Sequence, residues 1–247
     1  DHLGLQALQL TDTDIHPALR CQATLAIDSG ATYTLHARFT DIVLSNATQH
    51  MQPRPLELHA HLTTDTVQVD IRSGDLTLMA SAHIEGLPWE QERLSSDKIS
   101  ESLDYLSALY VTLSAGTDNP ISNYLALMGI AFRSSHATIS EREGSITGHL
   151  QLDGITAKGV TTESLSLNTH YSNGTLHAHL QSDLLTWSTP QMYLQGRADA
   201  TFTWDSNFDT DRLKGLLRLS SLRYALPAYS LHLHTIDTLH IPFERGG

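Results

Sequence analysis

Cysteine, aromatic side chains and charge are all scarce in this sequence. The only cysteine, Cys21, excludes an internal disulfide, and we interpret it as a small buried hydrophobe. Aromatic residues make up 6% and charged residues 17% of the chain, which is not the composition of a helical bundle. With 247 residues the chain can still bury a sizeable core, as one large all-β domain or two smaller ones.

Positive charge is also sparse. The 15 lysines and arginines are scattered, and the formal net charge is -12. No cluster of cations is available to neutralise a run of phosphates, which argues against nucleic acid and against an acidic membrane surface as partners.

Long apolar runs are missing as well. The charge-free stretch over residues 120–132 is interrupted by Asn123 and Gly129, and it falls short of the roughly 20 residues that a membrane-spanning helix needs. The chain begins at Asp1 without an initiator methionine, so we expect it to be a piece of a longer protein whose anchor or address lies elsewhere.

Alternation of apolar and polar residues dominates what is present, and it predicts strands with one apolar face. In the first part of the chain the apolar members are Leu25, Ile27, Tyr33, Leu35, Ala37, Phe39, Leu56, Leu58, Ala60, Leu62, Val67, Val69, Ile71, Leu76, Leu78, Ala80, Ala82 and Ile84. Asp28-Ser29-Gly30 and Ser73-Gly74-Asp75 are turn signals, and Gly86-Leu87-Pro88 ends the run. These features predict a first β ladder over residues 1–88.

The same pattern returns after residue 132 and predicts a second β ladder over residues 133–247. Its apolar members are Ile146, Leu150, Leu152, Leu165, Leu167, Leu176, Ala178, Leu180, Met192, Leu194, Ala198, Ala200, Phe202, Trp204, Leu217, Leu219, Leu231, Leu233, Leu239 and Ile241. Asn173-Gly174 is one of the strongest hairpin signals known. A mainly antiparallel sheet of about a dozen strands with one apolar face must curl over that face, close, or take a second sheet against it.

Residues 89–132 between the ladders predict a helical insert. Ile99, Leu103, Leu106 and Tyr110 recur at helical spacing in a first helix. A second helix has Asp118 and Asn119 as caps, Pro120 at its first position and Gly129 at its end. Its apolar face comprises Ile121, Tyr124, Leu125 and Met128. Helices this short are unstable alone, so we expect both to pack on the sheet.

Four segments together resemble a known family. They are Ser73-Gly74-Asp75-Leu76, the run over residues 116–120, Gly129-Ile130-Ala131-Phe132 and the strand over residues 144–148. In this order, over roughly residues 56–204, they resemble the TamB proteins of the Bacteroidota type, members of the AsmA-like group of repeating β-groove proteins. The family's membrane anchor and its C-terminal strands have no recognisable counterpart here, so the chain matches at most a central segment.

The resemblance implies a protein of the periplasm, anchored to the inner membrane in its full length, with a long curled sheet and a hydrophobic trough. It implies phospholipid transport to the outer membrane, outer-membrane protein assembly, or both. The implied partners are phospholipid acyl chains and, through parts outside this chain, an outer-membrane assembly protein of the Omp85 type. It implies no enzymatic activity, no cofactor and no catalytic residue.

A lipid trough requires a continuous apolar stripe, since acyl chains are held by apolar area at about 25 cal/mol per Å². The candidate lining residues are Leu58, Leu62, Val69, Leu76, Leu78, Ile84, Leu150, Leu152, Leu165, Leu167, Leu180, Leu194 and Phe202. The dry core of a closed β-sandwich, used for binding or structure, has the same stripe. The residues alone favour the sandwich, and the resemblance favours the trough.

Histidine supports a third reading, a metal-dependent enzyme. Three pairs have one residue between them: His59 with His61, His177 with His179, and His232 with His234. Each pair points to one face of a strand, as in some metal sites. However, each lies opposite the apolar stripe, where a solvated face is expected, and no carboxylate follows at a repeated distance. We therefore predict no metal site.

Overall fold

The computed structural model describes residues 16–28, 32–46, 48–83, 108–189, 191–205, 214–226 and 231–244. These residues form one open antiparallel sheet of fifteen strands and a single short helix. The strands are β1 (His16–Asp28), β2 (Thr32–Ser45), β3 (His50–Met51), β4 (Leu56–Leu62), β5 (Thr66–Ser73), β6 (Leu76–His83), β7 (Tyr110–Ala115), β8 (Ile130–Ala131), β9 (Ser134–Arg142), β10 (Ser145–Ala157), β11 (Val160–Ser172), β12 (Thr175–Ser188), β13 (Tyr193–Asp205), β14 (Lys214–Leu226) and β15 (Leu231–Glu244). The helix is α1 (Pro120–Leu127).

The sheet is a meander in which each long strand pairs with the next one along the chain. The order is β1-β2-β4-β5-β6-β7-β9-β10-β11-β12-β13-β14-β15, while β3 pairs with β2 and β8 with β10 beside this path. The predicted turns explain the connections. Asn173 and Gly174 have φ angles of 50° and 73° between β11 and β12, as the tight hairpin turn requires. The prediction of a mainly β protein with one long antiparallel sheet and a short helical insert is confirmed, and the sheet is open.

One apolar row crosses the whole sheet. Each member lies directly opposite the next on the neighbouring strand, so all share one face. From β1 to β15 the members are Ala23, Ala37, Leu58, Ile71, Leu78, Leu113, Ala137, Leu150, Leu167, Leu180, Ala200, Leu217 and Ile241. We call this set the central apolar row. At about 4.8 Å between neighbouring strands it extends for roughly 58 Å.

Bulges keep side chains on the apolar face toward one end of the strands. Asp41 has a φ of 52°, and the register between β1 and β2 shifts opposite it. Phe39 and Ile42 are three residues apart, yet both pack in the same apolar cluster, because the extra residue restores the direction of the side chain. A φ of 51° at Ser221 in β14 accompanies a similar shift.

Two small clusters hold the buried apolar residues around the helix. Ile42, Leu44 and Leu127 form the first, and Leu76, Ala115 and Phe132 form the second. Most members of the central apolar row are only partly buried, and the described residues contain no second sheet that would cover them. The apolar face is therefore covered by α1 near one end of the strands.

Only part of the predicted helical insert lies within the described residues, and that part holds strand β7 as well as helix α1. Residues 84–107, which hold most of the first predicted helix, lie outside the described residues. Tyr110, assigned to that helix from its spacing, instead begins strand β7, where Val111, Leu113 and Ala115 alternate with polar residues. Because β7 pairs with both β6 and β9, the two predicted ladders form one continuous sheet.

Two further findings concern single features. Cys21 is exposed, so the interpretation of a buried thiol is wrong. The reason is its position on β1, an edge strand of the described sheet. No helix in the described residues combines the length and the apolar character that crossing a bilayer requires.

Replacing Gly74 by alanine should destabilise the fold more than replacing Gly129. Both glycines have positive φ, 59° and 77°, so alanine costs about 1–2 kcal/mol of backbone strain at either. At Gly74 the added Cβ would also lie 1.9 Å from the carbonyl oxygen of Asp118, whereas nothing lies within 4 Å at Gly129. Urea unfolding of both variants measures the difference. Equal losses of stability would contradict the close approach of the β5–β6 turn to Asp118.

Candidate functional site

The strongest candidate site is the apolar face itself. Beside the central apolar row runs a second row, comprising Leu25, Leu35, Ala60, Val69, Ala80, Val111, Ile139, Gly148, Thr169, Ala178, Phe202 and Gly215. Thr169 is its only polar member, and its hydroxyl donates to the carbonyl oxygen of Gly148. We call the two rows together the apolar track.

Most members of the track are partly exposed, whereas Ala37, Ala178 and Ala200 are buried. At its edges Leu25 is 62% exposed and Ile241 is 40% exposed. Ile139 in the middle of the sheet is 41% exposed. Contiguous exposed apolar surface on a protein commonly marks a site of interaction. This surface therefore has the character of a binding face.

The predicted lining residues fall on this face. Leu58, Leu78, Leu150, Leu167 and Leu180 lie in the central apolar row, and Val69 and Phe202 lie in the second row. Leu62, Leu76, Leu152, Leu165 and Leu194 continue the same alternation on their strands, and Ile84 lies outside the described residues. The prediction omitted Leu113, which is central to the row. The sequence signal for Leu113 is the alternation of Val111, Leu113 and Ala115 with polar residues. Because the prediction assigned this segment to a helical insert, it did not assign the alternation to a strand.

Helix α1 is attached to the sheet through a polar network at its N-terminus. The side-chain amide of Asn119 donates to Asp75 Oδ1 at 2.7 Å, and the backbone N–H of Asp118 donates to Asp75 Oδ2 at 2.9 Å. Asp75 belongs to the β5–β6 turn. Two of the segments that carried the family resemblance, around Ser73 and around Gly116, therefore meet in space.

Asn119 is the centre of this network and is completely buried. Its Oδ1 accepts from the backbone N–H of Ser122 at 2.9 Å, which is the N-cap bond that begins the helix. Its amide nitrogen also donates to the carbonyl oxygen of Gly116 at 3.0 Å and to Ser122 Oγ at 2.9 Å. The capping prediction is confirmed for Asn119. Because both polar atoms of this buried amide have hydrogen-bond partners, the network holds the helix in one position and one orientation.

The C-terminus of the helix is attached separately. Asn46, just after β2, donates from Nδ2 to the carbonyl oxygen of Leu127 at 3.2 Å. Its Oδ1 accepts from the backbone N–H groups of Thr48 and Gln49, which fixes the amide. An ion pair between Arg54 and Asp118, 3.0 Å apart, lies at the surface beside the N-terminal network. Contacts at both ends hold the helix against the strands.

The face that the helix turns to the sheet differs from the predicted one. Leu127 is buried, and Tyr124 packs beside it against Ile42 and Leu44. Leu125 packs against the second cluster. Ile121 is 42% exposed, so its predicted place on the sheet is wrong, whereas Met128 is partly buried and belongs to neither cluster. Leu127 takes the place of Ile121 because the helix rests on the sheet through its last turn.

The carboxyl group of Asp75 titrates below its ordinary range. Burial raises its pKa, but hydrogen bonds from the Asn119 amide and from the backbone N–H groups of Asp118, Gly116 and Thr117 lower the pKa by more. The hydrogen-bond network therefore stabilises the ionised form of Asp75. The site has no room for a side chain at Gly116, where a Cβ would lie 2.3 Å from Asp75 Oδ2.

The face opposite the track is polar and rich in histidine. His59 and His61 flank Ala60 and point away from the track, and His177 and His179 do the same around Ala178. The side chains of His232 and His234 lie outside what the structure describes. Among the described residues, no group of three or more histidine, cysteine, aspartate and glutamate side chains is placed to hold a metal ion.

Fold and face together define a single-sheet β protein with one apolar and one polar face. Comparison with known proteins adds no relative, because no family model, no curated protein and no solved structure matches the chain.

Replacing Asp75 by asparagine should destabilise the protein at neutral pH and much less in acid. A carboxyl whose pKa is lowered by folding contributes stability above its unfolded pKa, about 3.9, and that contribution is lost as the pH falls through the folded value. The difference in unfolding free energy between wild type and D75N should therefore shrink as the pH falls from 6 toward 3. A difference independent of pH would contradict the role of the charge.

Truncating Leu127 should destabilise the fold by about 2–5 kcal/mol, the usual loss for a buried leucine. The matched control is Ile121→Ala on the same helix, expected to change stability by about 0.5 kcal/mol or less because Ile121 is exposed. Urea or thermal unfolding distinguishes the two. A larger loss at Ile121 than at Leu127 would show that the helix turns its other face to the sheet.

Proposed function

We propose that this chain is a central segment of an AsmA-like β-groove protein of the TamB kind, and that its apolar track carries phospholipid acyl chains. The observation that carries the proposal is the central apolar row, which has no polar member from β1 to β15. Transport to the outer membrane, or assistance to outer-membrane protein assembly, is the corresponding cellular role. The chain itself performs no catalysis in this proposal.

The unbroken length of the central apolar row supports a continuous binding track more than it supports a discrete pocket. The row runs across the strands for roughly 58 Å, about twice the 30 Å thickness of a bilayer's hydrocarbon core. Every member of the row from Ala37 to Leu217 has an aliphatic side chain. An acyl chain could therefore shift by one strand without losing a directional bond. Binding by apolar area alone, at about 25 cal/mol per Å², allows such movement.

Openness supports the same conclusion. In a closed sandwich the apolar face would be covered by a second sheet, but the described strands form one open sheet. Leu78, Leu150 and Leu180 are consequently only partly buried. The closed sandwich of the sequence prediction therefore does not describe this fold, although a protein partner could still occupy the face.

Helix α1 supports the proposal by its position. It covers the apolar face beside Ile42, Leu44 and Leu76, near one end of the strands, and Leu113 is the one member of the central apolar row that packs against these clusters. A fixed helix at that end acts as a wall that confines an acyl chain to the track. In this account the Asp75–Asn119 network keeps the wall in place.

Photo-crosslinking tests the proposal. A benzophenone amino acid at Leu78 or Leu150 should capture phospholipid when the chain is mixed with vesicles of phosphatidylethanolamine and phosphatidylglycerol. The matched controls are the adjacent residues Thr77 and Gln151, which lie on the polar face because side chains alternate along a strand. Mass spectrometry of the adducts identifies the captured molecule.

Equal capture at both members of each pair, or none at either, would count against a lipid track. A second variant tests continuity. Leu113→Asp places a charge in the middle of the row and should reduce capture at both Leu78 and Leu150, whereas Thr112→Asp on the polar face should not. Circular dichroism and the melting temperature of each variant establish that the sheet is retained.

A further inference from the structure

The polar face carries two shallow depressions, and they differ in charge. The larger one, of about 610 Å³, crosses β11 to β14. The smaller one, of about 430 Å³, crosses β2 and β4 to β7. We call them the β11–β14 depression and the β4–β7 depression. Volumes of this order are within the range of small-molecule sites.

The β11–β14 depression is lined by cationic and neutral groups. Its described titratable side chains are His170, His177, His179 and Lys214, and none of the described residues in its lining is an aspartate or glutamate. The β4–β7 depression, in contrast, includes Asp70 beside His59 and His61.

The register places two histidines face to face. His170 of β11 lies directly opposite His177 of β12, and Thr203 of β13 lies on the other side of His177. Directly opposite residues have Cβ atoms about 5 Å apart. Asn168 and Thr201 flank His179 in the adjacent row in the same way. Imidazole, hydroxyl and amide groups thus converge from three strands.

Among the described residues, the neighbouring carboxylates are paired with other groups and not with His170 or His177. His179 contacts Asp199 at 3.0 Å, and Asp199 has its pKa lowered by hydrogen bonds from Gln181 and His179. Lys214 lies opposite Glu244 in the register and has an interaction of its own. Thr147 of β10 lies opposite His170 and carries no charge.

Two other charged or titratable groups lie nearby. His149 of β10 shares a hydrogen bond with Asn168 at 2.8 Å, and Arg218 of β14 lies opposite Asp199. Within the described part of the chain, neither His170 nor His177 makes a side-chain hydrogen bond or an ion pair. Both are therefore free to bind an anion.

We propose that the β11–β14 depression binds an organic phosphate, with the phosphoryl group between His170 and His177. Protonated imidazoles are strong donors to phosphate oxygens, and the hydroxyls of Thr201 and Thr203 supply further donors from β13. The depression is larger than a phosphate ion alone and includes Leu216, so it can also contact the organic part of the ligand. This site lies on the face opposite the apolar track and does not depend on the lipid proposal.

Binding should strengthen as the pH falls from 8 to 6. Histidine is the side chain that gains charge in this range, and a phosphate monoester still carries at least one negative charge there. Hydrogen bonds from Gln181 and His179 hold the pKa of Asp199 below its ordinary range, so this carboxylate stays ionised from pH 8 to pH 6. The part of the pH dependence that requires His170 and His177 is the part that the double variant described below should lose.

The experiment is a titration of the 247-residue chain at pH 6 and pH 8, followed by the ¹⁵N and ¹H signals of the histidine rings. The probes are inorganic phosphate, glycerol 3-phosphate, and vesicles of phosphatidylcholine with or without phosphatidylglycerol. We expect glycerol 3-phosphate to move the His170 and His177 signals at pH 6, and to bind about tenfold or more weakly to the double variant His170→Gln, His177→Gln.

The matched control is the double variant His36→Gln, His59→Gln, a second pair of directly opposite histidines, whose rings stack at 4.2 Å beside Asp70. It removes the same number of histidines from the same face and should leave binding unchanged. Shifts that occur only with phosphatidylglycerol vesicles, and vanish in the His170/His177 variant, would identify a lipid headgroup as the source of the phosphate. No shift with any probe at pH 6, or equal losses in both variants, would overturn the proposal.

Discussion

The structure depends above all on the register in which neighbouring strands pair. Side chains alternate between the two faces along each strand, so the register determines which residues lie together on one face. A slip by one residue in any hairpin would move that strand's leucines to the polar face and break the central apolar row. The row survives every pairing between Ala23 and Ile241, including the junction at β7 where the predicted ladders meet. Tight turns such as Asn173-Gly174 hold the register locally. A continuous track is thus a consequence of thirteen strands that pair in sequence with their register shifts outside the central apolar row.

Strand pairing alone leaves the apolar face of the sheet uncovered. The position of helix α1 determines how much of that face stays open. Its position follows from polar contacts at both ends, with Asp75 and Asn119 at the N-terminus and Asn46 at the C-terminus. Leu127 supplies the buried apolar contact between them. The buried amide is satisfied by specific partners, so displacing the helix would leave Asn119 without them. The same constraint that orients the helix confines it to one end of the apolar face.

Much of the fold can be predicted from short-range patterns, and the rest depends on contacts that such patterns do not encode. Alternation identifies most strands, and Pro120 and Gly129 bracket the helix correctly. The bulge at Asp41 has no comparable signal, since a left-handed aspartate follows from the pairing of β1 with β2. Spacing alone put Ile121 on the sheet in place of Leu127, because the docking of the last turn is a tertiary effect. The meeting of Asp75 with Asn119 joins residues 44 positions apart, beyond the reach of any local pattern.

The central claim is that one face of the sheet is an open path for acyl chains and the other is not. Methyl NMR of the selectively labelled chain, in the presence of a phospholipid with a nitroxide on its acyl chain, tests this most directly. The account predicts paramagnetic broadening of Leu58, Leu113 and Leu167, spread across the central apolar row. Met79, on the polar face, should stay sharp. Equal broadening on both faces, or broadening confined to a single strand pair, would contradict a continuous track.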